Sequence, residues 1–165
     1  MPGTHPDLFA LLEVLAEHQV DFIVIGGVGA VLQGAPIATF DLDVVHSRDA
    51  SNLGRLLSAL TALGAYYRGH GERNPPPTLS NLAGPGHHLL MTRAGPLDLL
   101  GAVTKGRVYA DLLEETIDMV IRPGLSVKVL DLAMIITLKE ELGGEKDLAA
   151  LPVLRRTLEE RRRGS

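Results

Sequence analysis

The stretch "FIVIGGVGAVLQGAPIATFDLDVV", residues 22–45, limits the folds open to this chain more than any other. Phe22, Ile23, Val24 and Ile25 are aromatic or β-branched without a polar break, the pattern of a short strand buried on both faces. Gly26-Gly27 then turns the chain into a short helix over residues 28–33, closed by Gly34. A second strand is predicted over residues 40–46, and it carries Asp41 and Asp43 with Leu42 between them. Strand side chains alternate faces, so the two aspartates point one way while Leu42 and Val44 point the other way into a core. Their Cα atoms then lie roughly 6.5–7 Å apart. Strand, glycine turn, helix and strand in direct succession predict an α/β or α+β domain.

The 165 residues fit one domain, with a core over about residues 8–130 and a C-terminal helical segment over about 131–162. Leu8, Leu11, Leu12 and Leu15 form an apolar stripe at helical spacing behind Pro6 and Asp7. A helix over residues 50–63 buries Leu53, Leu56, Leu57 and Leu60 and stops at Gly64. Residues 65–68 read as a third strand, and residues 88–92 and 97–100 as a hairpin turned by "RAGP". A short helix over 109–115 and strands over 119–121 and 126–129 follow, the strands joined at "RPG". Asp131 caps a helix ending at Gly143-Gly144. Pro152 is expected to break or kink the last helix. Residues 69–86, rich in Pro, Gly and Asn, show no periodicity and read as a long loop.

Two carboxylates this close repel, and repulsion raises a pKa unless a positive charge answers it. A divalent cation does so. Mg²⁺ takes one or two carboxylates and keeps positions for water and substrate phosphates. Asp98 in "GPLDLLG" repeats the pattern of one acid among core aliphatics. If its strand lies beside the first pair, three acids converge, and three carboxylates can hold two metal ions. Gly26-Gly27, between a strand and a helix start, lets a phosphate approach the backbone.

Together these residues resemble the DNA polymerase β-like nucleotidyltransferase superfamily. The nearest likeness is to its minimal nucleotidyltransferases and the AbiEii-type proteins of toxin–antitoxin systems. "GGVGAVLQG" followed by "ATFDLD" matches that pattern, and "LKEELGGEKDLAAL" is similar to its Lys and Lys-Asp segment. The resemblance implies a mixed sheet with packed helices, and transfer of a nucleoside monophosphate from an NTP to a hydroxyl. It implies that Gly26, Gly27 and Thr39 touch the nucleotide and that Asp41, Asp43 and Asp98 bind Mg²⁺ or Mn²⁺. Asp98 would also accept the proton of the attacking hydroxyl, and Lys139 and Lys146 would neutralise phosphates. The acceptor is left open between protein, RNA and a small molecule, and a toxin or antitoxin partner is implied. Val28 departs from the family, which often has a polar residue there.

Two other functions fit the same residues: a catalytically silent NTP-binding partner of a toxin–antitoxin pair, and a glycosyltransferase using Asp-x-Asp for a nucleotide sugar. A dinucleotide-binding fingerprint fails because position 32 is Leu rather than Gly. His46 reads as a structural residue at a strand end. His70, His87 and His88 do not read as a metal set, and Arg68, Arg73 and Arg93 could reach substrate phosphates but read rather as surface charges. A net charge of −4 gives no global field for nucleic acid, so strong DNA binding is not expected. The chain has no cysteine, which excludes disulfides and thiol chemistry and is compatible with the cytoplasm. "MPGTHPDLF" lacks the basic and apolar regions of a leader, and no apolar run reaches membrane-spanning length.

Overall fold

The computed structural model describes residues 6–164; residues 1–5, on which the leader expectation partly rests, lie outside them. Seven strands make one mixed sheet: β1 (Phe22–Ile25), β2 (Leu42–His46), β3 (Tyr66–Tyr67), β4 (His87–Thr92), β5 (Gly95–Leu100), β6 (Thr116–Arg122) and β7 (Leu125–Leu130). Their order is β3-β4-β5-β2-β1-β7-β6. Around the sheet lie α1 (Leu8–Glu17), α2 (Gly26–Leu32), α3 (Ala50–Ala62), α4 (Leu79–Leu82), α5 (Tyr109–Leu112), α6 (Leu132–Leu142) and α7 (Glu145–Arg163).

β1 is apolar on both faces because both are covered. Phe22 and Val24 join Leu11, Leu12 and Leu15 of α1 and Leu56 and Leu60 of α3 in one core. Ile23 and Ile25 join Ile135 and Ile136 of α6 and Leu151 and Leu154 of α7 in a second core. β2 runs antiparallel to β1 and parallel to β5. Its Leu42 and Val44, with Leu97 and Leu99 of β5, belong to the α1–α3 core. Asp43 and Asp98 are therefore turned toward the face covered by α6 and α7, which is where strand alternation puts them.

Gln33, just past α2, is a buried amide with every contact internal. Its Nε2 donates to the carbonyls of Gly29 (3.0 Å) and Leu130 (2.8 Å), and its Oε1 accepts from the Leu132 amide (2.8 Å). These bonds join α2 to the junction of β7 and α6. Gln33→Leu keeps the volume but leaves buried backbone groups of Leu130 and Leu132 without this partner. We expect a loss of about 2–4 kcal/mol in urea unfolding; a change below about 0.5 kcal/mol would contradict this role.

Several boundaries differ from the sequence expectation, each for a local reason. α2 begins at Gly26 rather than Val28, because the positive φ of Gly26 (63°) turns strand into helix with no intervening loop. β2 begins at Leu42 rather than residue 40. The Thr39 hydroxyl donates to the Asp41 carbonyl at 3.3 Å, a short-range bond that competes with strand pairing. Residues 69–86 contain a 3₁₀ turn, Gly71–Arg73, and α4, whose start is capped reciprocally by Thr78 and Asn81. α7 runs from Glu145 to Arg163 without a break at Pro152. Pro152 is exposed while Leu151 and Leu154 are buried beside it, so the bond the ring removes lies on the water side and the packing is kept. Among the described residues, no helix is long and apolar enough to cross a membrane.

Candidate active site

The acidic site is built from the register of two neighbouring strands. β2 and β5 pair in parallel with Asp43 directly opposite Asp98. Asp41 sits one residue before β2 begins. One carboxylate oxygen from each of the three lies within 4.8 Å of the others, and all three residues are half-buried. Among the described residues this is the one group of three or more potential metal-ligating side chains that converge so closely.

That proximity is electrostatically costly without a cation. Asp43 is pushed up to about 8, first by burial and then by the charges of Asp41 and Asp98, with Lys139 opposing the rise. Asp41 is also raised, by burial and by Asp98, while Arg68 pulls it back. The donor set is all hard oxygen, which suits Mg²⁺ or Mn²⁺ and not the softer metals that favour sulfur or imidazole.

The glycine pair has a packing reason of its own. A Cβ at Gly26 would collide with Asp43 Oδ2 and stand 3.1 Å from Asp43 Cβ and Cγ. One at Gly27 would stand 2.7 Å from Thr39 Oγ1 and 3.0 Å from Thr39 Cβ. Both glycines let β2 and its approach close on the start of α2, so the carboxylate of Asp43 sits against bare backbone.

The site opens into a cleft of about 590 Å³. Gly26, Asp43 and Asp98 form its acidic end, Leu100 and Leu138 its apolar wall, and Lys139 projects into it. Lys139 Nζ lies 3.6 Å from Asp147 Oδ1. Lys146, its sequence neighbour, is exposed and not among the cleft residues; the helical turn of α7 presents Asp147 there instead.

Sequence reasoning did not find the partners of two residues that touch this site. Asp147 holds Lys139. Arg68 is not a free surface charge: its Nη2 donates to Asp98 Oδ1 at 2.8 Å and its Nη1 to the Leu90 carbonyl at 2.8 Å. No periodicity marks either of them. Arg68 becomes visible only through the pairing that aligns it with Leu89 and Asp98 across β4 and β5.

The histidines lie elsewhere. His46 and His88 are buried on the opposite side of the sheet from Asp43, their rings 6.0 Å apart. His46 Nε2 meets the Leu82 carbonyl at 3.0 Å, and His88 Nδ1 meets the Tyr67 hydroxyl at 2.9 Å. Burial lowers the pKa of both.

The fold, a seven-stranded mixed sheet with helices on both faces and acids at one strand pair, is nucleotidyltransferase-like. A solved Thermotoga maritima protein, named a "putative nucleotidyltransferase", superposes with a TM-score of 0.54 over 93% of this chain and 91% of that one, at 18% identity. No family model matches the sequence. No curated protein does either.

Proposed function

We propose that the protein is a metal-dependent nucleotidyltransferase that moves a nucleoside monophosphate from an NTP to an acceptor hydroxyl. The observation that carries this reading is the direct pairing of Asp43 with Asp98, with Asp41 close by, at the acidic end of a ligand-sized cleft. The nucleotidyltransferase-like fold supports it.

In this reading Asp41, Asp43 and Asp98 hold Mg²⁺ or Mn²⁺. When bound, the metal polarises the phosphoryl oxygens and offsets charge on the departing pyrophosphate. The Asp98 oxygen not engaged by Arg68 accepts the proton of the acceptor hydroxyl. A bond forms from the acceptor's hydroxyl oxygen to the α-phosphorus as the bond from the α-phosphorus to the oxygen bridging it to the β-phosphate breaks, and pyrophosphate leaves. Gly26, Gly27 and Thr39 border the phosphates at the start of α2, with Asp43 and Thr39 packed where the glycine Cβ atoms would stand. Lys139 supplies positive charge from the cleft wall. Lys146 would take part only if the start of α7 turned toward the cleft. We also place the protein with the small nucleotidyltransferases of toxin–antitoxin systems, with a cognate toxin or antitoxin as partner; co-expression with the product of the adjacent gene tests that placement.

A glycosyltransferase would use the same acid spacing for a nucleotide sugar, so the two readings part at the ligand. Calorimetric titration with ATP, CTP, GTP, UTP and UDP-glucose in Mg²⁺ separates them. We expect at least one NTP to bind, and to bind far more weakly to Asp43→Asn. Binding of UDP-glucose with no binding of any NTP would contradict the proposal.

A further inference from the structure

Arg68 reaches the acidic site from two strands away. Its backbone amide donates to the Leu89 carbonyl at 2.9 Å, and Leu89 pairs with Asp98, which pairs with Asp43. Arg68, Leu89, Asp98 and Asp43 thus form one row across the sheet. From the end of that row the guanidinium passes Leu89 and binds Asp98 Oδ1 at 2.8 Å, fixed from behind by the Leu90 carbonyl. Both side chains are largely withdrawn from water, Arg68 at 28% and Asp98 at 14% exposure, so water does little to weaken the pair.

From this geometry we infer that Arg68 is a built-in counter-charge that competes with the divalent cation for Asp98 and sets how tightly the site holds it. The inference rests on the cation reading above. Without metal, three carboxylates share one small volume, and Arg68 supplies a fixed positive charge to one of them while also drawing down the pKa of Asp41. With metal, that same charge repels the incoming ion and occupies one of the two oxygens Asp98 can offer. Arg68 engages Oδ1, so Oδ2 is the Asp98 oxygen without a guanidinium contact. Affinity for the bare ion is lowered, so the ion is held firmly only when a nucleotide brings further ligands with it.

The test is calorimetric titration of the metal-free protein with Mn²⁺ alone. Arg68→Gln removes the charge but keeps a polar side chain of comparable reach. Arg68→Lys keeps the charge but not the fork. We expect Arg68→Gln to bind Mn²⁺ about tenfold more tightly than the natural protein, and Arg68→Lys to stay within about threefold of it. Damage to the fold would loosen binding, so tightening carries a sign that a purely structural role cannot produce. Equal or weaker binding by Arg68→Gln, or equal tightening by both variants, would overturn the role assigned to Arg68 while leaving the cation site standing. Absence of Mn²⁺ binding in all three proteins would instead remove the cation reading, and this inference with it.

Discussion

Asp43→Asn stabilises the metal-free protein at pH 8.5 by on the order of 2 kcal/mol, and much less at pH 5. The sign follows from linkage. Burial and two neighbouring acids raise Asp43 to about 8 in the folded state, far above the ~3.9 of an unfolded chain. Between those values the folded protein holds a proton that the unfolded protein has released. Stability therefore falls as pH rises through that window, at no more than about 1.4 kcal/mol per pH unit for one proton, a ceiling that water around the half-buried carboxylate lowers, so the total stays on the order of 2 kcal/mol. Asp41, also raised, adds to the trend. His46 and His88 act in the opposite sense. Their pKa values are lowered, so the unfolded state binds their protons first and acid destabilises the fold as pH drops below ~6.5. Measuring variant against natural protein cancels the histidine contribution. Thermal unfolding in EDTA at both pH values is the check, with an upward Tm shift of roughly 5 °C expected at pH 8.5. A variant less stable than the natural protein at pH 8.5 would mean that Asp43 is not held against repulsion. On the proposed cation reading the same substitution also removes a ligand, so it should stabilise the fold and abolish cation binding together, a trade expected where function requires like charges to be held close.

Gly26→Ala has the second large effect, through geometry rather than charge. Gly26 has a φ of 63°, a conformation that costs an L-residue roughly 1–2 kcal/mol. Its new Cβ would also collide with Asp43 Oδ2, with Asp43 Cβ and Cγ only 3.1 Å away. Swinging the carboxylate aside cannot relieve contact with Asp43 Cβ, so either the strand or the helix start must move. We expect a total loss of about 2–4 kcal/mol in urea unfolding. Displacement of Asp43 should also weaken Mn²⁺ binding at least tenfold in the fraction that remains folded. Natural stability with natural Mn²⁺ affinity would show that Gly26 and Asp43 are not in the tight contact described.

The parts of this molecule legible in the sequence are those governed by short-range period. Asp41, Leu42, Asp43 and Val44 alternate, and alternation alone separates acids from core. Asp98 between Leu97 and Leu99 follows the same rule, although only the parallel register of β2 and β5 puts it opposite Asp43. The helices carrying Leu11, Leu12 and Leu15, and Leu56 and Leu60, follow from their 3.6-residue stripes. What stayed hidden depends on contacts distant in sequence. Arg68 reads as one more charge before a glycine-rich loop; its partner lies 30 residues away across an intervening strand. The glycine pair suggests room for a phosphate, yet Asp43 and Thr39 already fill the space where its Cβ atoms would stand. Pro152 argues for a break that the burial of Leu151 and Leu154 overrides. Lys146 and Asp147 are adjacent and both charged, and only the phase of α7 on the fold decides that Asp147 faces Lys139.

The most direct trial is transfer of label from the α-phosphorus. Each of the four NTPs, labelled once at the α- and once at the γ-position, is incubated in Mg²⁺ with the natural protein or Asp43→Asn and a cell extract as acceptor pool. The expected result is covalent α-label in an acceptor with the natural protein alone, with γ-label leaving as pyrophosphate. Transfer of γ-label, or equal α-labelling by both proteins, would contradict nucleotidyl transfer at this acidic site.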